Sequence, residues 1–275
     1  MNYRHHFHAG NFADLVKHAA LLTALKRLGR GHEPLVVIDT HAGAGLYDLA
    51  GDMAVKSGEA AAGVGRLMAD SAAPAALAAL EAAVGQANPA GGLRFYPGSP
   101  LLAARALRSG DRLVAYELRA EDAETLRAAL NGVRCAVEVS CADGFESAVR
   151  RVPSHGPVLV LIDPPFERAD DYARIQVCVS AVLARNPAAV VMVWTPLKDL
   201  ETFDRLLRGI EEGGAPATLV VETRLRPLDD PMRMNGCALI IANPPPGLEV
   251  DLRPVCEWVV AALGGKGGEA RIWSL

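Results

Sequence analysis

The chain has no apolar run approaching the 18 or so residues of a membrane span, although 51% of its 275 residues are hydrophobic. It also lacks the basic-then-apolar order of a secretory signal, so a cytoplasmic protein without a membrane partner is expected. Cysteine is sparse and poorly spaced for ligation. Cys135, Cys141, Cys178, Cys237 and Cys256 form an odd set with no C-x-x-C pair, which favours free thiols over disulfides or zinc. Histidines gather near the start, at His5, His6, His8 and His18, but neither H-E-x-x-H nor a cysteine partner accompanies them, so no metal is expected. Positive charge is not in excess either. The net charge of −4 excludes a uniformly basic nucleic-acid binder. Nothing calls for an obligate protein partner.

What is present centres on Val158-Leu159-Val160-Leu161-Ile162, a run suited to a strand buried on both faces of a parallel sheet. Asp163-Pro164-Pro165-Phe166 follows it. Two prolines cannot donate to a ladder, so the strand must end in a stiff loop at its carboxyl edge, where ligands bind in open α/β sheets. An acid-Pro-Pro-aromatic loop there resembles motif IV of the amino-methyltransferases, which act on an exocyclic NH2 of adenine or cytosine. Such an amine is a poor nucleophile because its lone pair is delocalised into the ring. Asp163 and the carbonyl of Pro164 can accept its N–H groups, and Phe166 can stack on the base, a contact that contributes roughly 1–3 kcal/mol. A second candidate, Asn243-Pro244-Pro245-Pro246, lacks the aromatic and reads as a strand terminator.

Leu35-Val36-Val37-Ile38-Asp39 reads as the first buried strand, and Thr40-His41-Ala42-Gly43-Ala44-Gly45 as a glycine-rich turn. Gly43 and Gly45 let backbone approach a ligand. The turn lacks the third glycine of a dinucleotide fingerprint, and Asp39 at the strand tip suits a cationic methionine moiety better than a pyrophosphate. A ribose-binding acid is expected about 20 residues later. The next strand with a terminal acid is Arg112–Glu117, so roughly 50 residues are inserted, and the segment 51–94 reads as alanine-rich helices over Glu59–Met68 and Ala72–Val84. Ser99 is expected to cap the helix that Pro100 opens, and Asp143 to cap another before Gly144-Phe145. Strands over 136–140, 190–194, 219–224 and 238–242 complete seven, the last inserted antiparallel.

Residues 1–32 hold five cations, Arg4, Lys17, Lys26, Arg27 and Arg30, against Asp14 alone, an excess of four that leaves −8 on the remainder. Asn11 caps a helix whose stripe is Phe12, Leu15, Val16, Ala19 and Leu22, with Asp14, Lys17 and His18 off that stripe. This arm and helix, residues 1–30, read as a basic patch able to meet phosphates through Arg4 and Lys17.

The block Tyr3-Arg4-His5-His6-Phe7-His8-Ala9-Gly10-Asn11-Phe12-Ala13-Asp14 with Lys17-His18, together with 39–45, Tyr96-Pro97-Gly98-Ser99-Pro100, Ala142-Asp143-Gly144-Phe145 and Asp163-Pro164-Pro165-Phe166, resembles the bacterial RlmJ family. The resemblance runs over nearly the whole chain. It implies a 23S ribosomal RNA adenine-N6 methyltransferase with a Rossmann-like class I fold: one α/β domain over 1–275, its mostly parallel sheet seven-stranded, carrying a small helical insertion. It further implies that His18, His41, Ser99, Glu117, Asp143, Gly144 and Asp163 contact S-adenosylmethionine, that Asp163 also acts on the amine, and that Tyr3 touches the RNA beside Lys17. Where the family usually shows Tyr, this chain has Phe166, which keeps stacking and loses a hydroxyl. A DNA amino-methyltransferase would share the loop, but no separate target-recognition domain is evident. A non-catalytic RNA-binding protein would not need both Asp163 and Glu117.

Overall fold

The structure, a computed structural model, describes residues 5–230 and 234–275. Tyr3 and Arg4, expected on the RNA, lie outside the described residues. In chain order the elements are α1 (Phe12–Leu28), β1 (Val36–Asp39), β2 (Leu46–Asp48), α2 (Asp52–Ser57), α3 (Glu59–Ala62), α4 (Val64–Ala69), α5 (Ala78–Ala87), β3 (Phe95–Pro97), α6 (Ser99–Ala106), β4 (Arg112–Glu117), α7 (Ala120–Ala129), β5 (Ala136–Cys141), α8 (Gly144–Ala148), β6 (Val158–Ile162), α9 (Asp171–Arg185), β7 (Val190–Leu197), α10 (Leu200–Glu212), β8 (Thr218–Arg224), β9 (Gly236–Ala242), α11 (Leu248–Leu263) and β10 (Glu269–Ser274).

The main sheet runs β10-β8-β9-β7-β6-β1-β4-β5, with β2 and β3 forming a separate antiparallel pair. It has eight strands, one more than the sequence reading. The extra strand is β10, which pairs antiparallel with β8 at the edge, and β9 inserts antiparallel between β7 and β8. Successive strand residues face opposite sides, and the core divides accordingly. Leu159 and Leu161 of β6, Leu113 and Ala115 of β4, and Leu239 and Ile241 of β9 join the layer holding α1, α6 and α11. Val158, Val160 and Ile162, Val114 and Tyr116, and Ala238 and Ile240 join the layer holding α8, α9 and α10. β6 is buried along its whole length, so its apolar run needs no polar face.

α1 departs from its expected one-sided stripe. Asp14, Lys17 and His18 are buried together with Leu15, Val16 and Ala19. The helix packs on α11, α6 and α5 at once, and an apolar or paired residue is then required on every face. The segment between β2 and β3 is a chain of short helices broken at Gly63, where helices over 59–68 and 72–84 were expected. A Cβ on Gly63 would lie 2.2 Å from the Gly10 carbonyl oxygen and 2.8 Å from the Asn11 Cα. The break thus brings this segment into backbone contact with the residues leading into α1. At the other end of α1, Arg27 donates to Asp251 at 2.6 Å and to the Gly247 carbonyl at 3.0 Å, fastening α1 to the start of α11.

Candidate active site

β1, β4, β5 and β6 are parallel, so Asp39, Glu117, Cys141 and Ile162 end at one edge of the sheet. A cavity opens there, with about 980 Å³ of atom-free space including its mouth. Of the residues expected at a cofactor, His18, His41, Gly43, Ser99, Glu117, Asp143, Gly144 and Asp163 line it. Asp39 and Gly45 do not. Asp39 is buried beneath the floor, where it accepts the Ser99 hydroxyl at 2.7 Å and the His41 N–H at 3.2 Å. Burial lifts its carboxyl to about 6 despite those donors. Those two bonds tie it to the turn and to the start of α6. Gly45 packs on Leu126, whose Cδ1 would lie 2.7 Å from an added Cβ, and its φ of +78° is the left-handed geometry glycine tolerates. Ser99 is the first residue of α6 instead of its cap, because its hydroxyl is committed to Asp39 and Gly98 occupies the cap position.

Glu117 accepts the Gly43 N–H at 2.9 Å and the Arg119 N–H at 2.7 Å. Burial raises its carboxyl above the usual range, with those two bonds opposing the shift. A carboxylate offers about four acceptor sites, so two remain for a ligand. Asp143 caps α8 by accepting the Phe145 N–H at 3.0 Å and also takes the Arg174 guanidinium at 2.7 Å. Burial would raise it, but Arg174 and the backbone N–H groups of Phe145 and Glu146 together hold it below the usual carboxylate value. Arg174 stacks its charge on Phe145, 4.6 Å from the ring centroid. Gly144 is obligatory for this geometry, since a Cβ there would meet the Thr40 carbonyl oxygen at 1.9 Å. Two histidines line the cavity uncharged. Burial lowers His18 to about 3 and His41 to about 4. His18 shares a 2.8 Å hydrogen bond with the Tyr96 hydroxyl, and His41 lies edge-on to Phe145.

A second cavity lies on the other side of the Asp163 loop, lined among others by Phe166, Trp194, Pro196 and Lys198 and by His8, Asn11 and Glu59. His5, Lys17, Asp163, Pro164 and Pro165 line both cavities, so this loop is the partition. Phe166 has φ +53°, unfavourable for a bulky residue. Its ring contacts Tyr172 at 5.0 Å and Trp194 at 5.8 Å. The unusual backbone is thus held by an aromatic wall, a form of strain common at working sites. Asn243 of the rival Asn-Pro-Pro-Pro segment sits at the opposite sheet edge, donating to the Pro187 and Ala189 carbonyls.

Lys17 requires the largest correction to the sequence reading. It was expected to meet RNA phosphates, but it is only 4% exposed and its ammonium lies 2.8 Å from Asp14 and 2.5 Å from Asp163. Burial opposes its charge, yet Asp14 and Asp163 together raise it well above the normal lysine value. A cation so placed cannot also neutralise solvent-side phosphates. The basic patch dissolves similarly at Arg27, which is spent on Asp251 and two carbonyls. Tyr47, Arg119, Phe145, Arg168 and Arg174 also line the first cavity and were not expected. Phe145, within the Ala142–Phe145 block, and Tyr47, just beyond the glycine turn, carried a sequence signal. Trp194, which ends an apolar strand run, carried one for the second cavity. Among the described residues no group of three His, Cys, Asp or Glu could hold a metal, and no helix is long and apolar enough to cross a membrane.

Comparisons with known proteins identify the family. The chain is 34% identical to the Ribosomal RNA large subunit methyltransferase J of Escherichia coli K12, covering 99% of this chain and 98% of the relative. It is 33% identical to the protein of the same name from Haemophilus influenzae, covering 97% and 95%. A crystal structure of a Legionella pneumophila protein superposes with a TM-score of 0.89 at 29% identity, covering 97% of this chain and 98% of that one. The fold is α/β with a mostly parallel sheet. Residues 32–275 match the family described as Ribosomal RNA large subunit methyltransferase D, RlmJ, and with two relatives above 30% identity over nearly their full length, the chain belongs to that family.

Proposed function

We propose that this protein transfers a methyl group from S-adenosylmethionine to the exocyclic N6 amine of an adenine in 23S ribosomal RNA, in the cytoplasm. The observation that carries the reading is the position of Asp163 and Pro164 on the partition between two cavities, one lined by Glu117, Asp143 and the glycine turn and the other walled by aromatic rings.

The first cavity fits S-adenosylmethionine by the chemistry of its donors. Glu117 keeps two acceptor sites for ribose hydroxyls, Asp143 lies at the tip of the neighbouring strand for the adenine amine, and Gly43 and Gly144 leave backbone uncovered. When bound, the cofactor supplies an electrophilic methyl on a sulfonium. The protein's own residues do the rest. Lys17 engages Oδ2 of Asp163 and fixes the carboxylate, leaving its second oxygen to accept one amine N–H. The Pro164 carbonyl, which accepts no hydrogen bond among the described residues, can take the other. Together they let the nitrogen lone pair leave conjugation. Phe166 and Trp194 offer surfaces on which an extruded base can stack. Holding donor and acceptor on either side of one loop supplies the alignment that an in-line transfer needs.

The test is to map N6-methyladenine in 23S RNA from cells with and without the gene, and to repeat the reaction with purified protein and unmodified RNA. Loss of one methyladenine on deletion, restored in vitro, is the expected result. An unchanged map, or equal activity on duplex DNA, would overturn the proposal.

A further inference from the structure

Glu59 stands on α3, in the helical segment between β2 and β3, and is remote in sequence from both cavities' other residues. Its carboxylate nevertheless forms part of the second cavity's wall. It receives His8 Nδ1 at 2.9 and 3.0 Å and Asn11 Nδ2 at 2.9 Å. An ionised carboxylate only accepts, so His8 carries its proton on Nδ1. The Asn11 side chain is engaged at both ends, since its Oδ1 accepts the Asp14 N–H at 3.0 Å as the cap of α1. Asp14 accepts the Gly10 N–H at 2.9 Å and pairs with Lys17, which grips Asp163. Backbone contact reinforces the junction, because the Val64 N–H donates to the Gly10 carbonyl at 2.8 Å. A continuous set of hydrogen bonds therefore leads from the inserted helices to the Asp163 carboxylate.

We propose that Glu59 is a positioning residue for methyl transfer, orienting His8 and Asn11 so that the first turn of α1 presents Asp14 and Lys17 to Asp163. The inference rests on the function proposed above. On this view the inserted helices set the geometry of the target-base cavity without themselves binding cofactor.

The experiment compares wild type, Glu59→Gln, Glu59→Ala, His8→Ala and the Glu59→Ala/His8→Ala double variant in methyl transfer to unmodified 23S RNA, with S-adenosylmethionine binding followed by calorimetry. Activity of the wild type is the control for the functional reading itself. Glu59→Ala is expected to lower kcat about tenfold or more per cofactor-binding site, with cofactor affinity within twofold of wild type. Glu59→Gln keeps one acceptor and is expected to recover part of the loss. The double variant is expected to be no slower than the poorer single variant, because both changes break the same link. Should Glu59→Ala not fold, Glu59→Gln and His8→Ala carry the test. Wild-type kcat in the Glu59 variants, losses that multiply in the double variant, or a loss explained wholly by fewer cofactor-binding sites would overturn the proposal.

Discussion

In the proposed reaction Asp163 has two partners, Lys17 and the substrate amine. Its Oδ2 is taken by Lys17 at 2.5 Å, so its usefulness to an amine depends on the remaining oxygen. Asp163→Asn puts an N–H donor where an acceptor is needed, and methyl transfer is expected to fall on the order of 10²–10³-fold. The fold should persist, because Lys17 retains Asp14 at 2.8 Å. Single-turnover rates with a thermal melt check this, and wild-type turnover by a folded variant would remove Asp163 from the chemistry. His18 yields a pH test. Burial lowers its imidazole from 6.5 to about 3. The unfolded chain protonates this group as pH falls below 6.5, whereas the folded chain resists until about 3. Its contribution to stability is therefore full above pH 6.5 and is lost through that interval on acidification. The stability of the wild type relative to His18→Gln should shrink by up to about 1.4 kcal/mol per pH unit across it, measured by denaturant titration. A difference independent of pH would show that His18 is solvated.

α8 begins beside the end of β1, where Gly144 lies against the backbone of Thr40. Gly144→Ala would force Cβ to within 1.9 Å of the Thr40 carbonyl oxygen and 2.8 Å of its Cα. Main chain, not a flexible side chain, must yield. The expected cost is about 1–3 kcal/mol of stability with weakened cofactor binding, read by melts and calorimetry. Unchanged values for both would mean that α8 starts farther from the turn. The strands around this junction were legible in the sequence because each is an apolar run ended by an acid or a proline, as at Asp39, Glu117 and Asp163. α11 and β10 were not. α11 follows three prolines and carries Pro254 inside it, both of which read as interruptions, and β10 is a half-exposed edge strand behind a glycine-rich stretch. The cavity residues legible from local pattern were those on strand tips and turns, while His18 and Lys17 of α1 were named through the family resemblance. Those supplied from helix faces, such as Arg174 and Glu59, depended on packing that no local pattern encodes.

Across the whole molecule, the formal charge of −4 gives a poor account of where RNA could bind. Lys17 and Arg27 neutralise carboxylates within the protein, whereas Lys198 is exposed at the rim of the second cavity. Lys198→Ala should reduce the salt dependence of RNA binding by roughly 0.7–0.9 in logarithmic slope, and Arg27→Gln should leave that slope unaltered, as filter binding across a salt series would show. The reverse pattern would relocate the RNA surface. The clasp between Arg27 and Asp251 has a temporal meaning as well. During synthesis α1 leaves the ribosome more than two hundred residues ahead of α11, yet α11 covers one of its apolar faces. Until that late partner arrives, the face of α1 that packs on α11 stays uncovered. A nascent chain stalled before Leu248 should consequently be cut by protease within α1, while the released protein resists. This family member would then complete its catalytic edge only at the close of translation, since the helix that carries Lys17 to Asp163 is among the last elements to become secure.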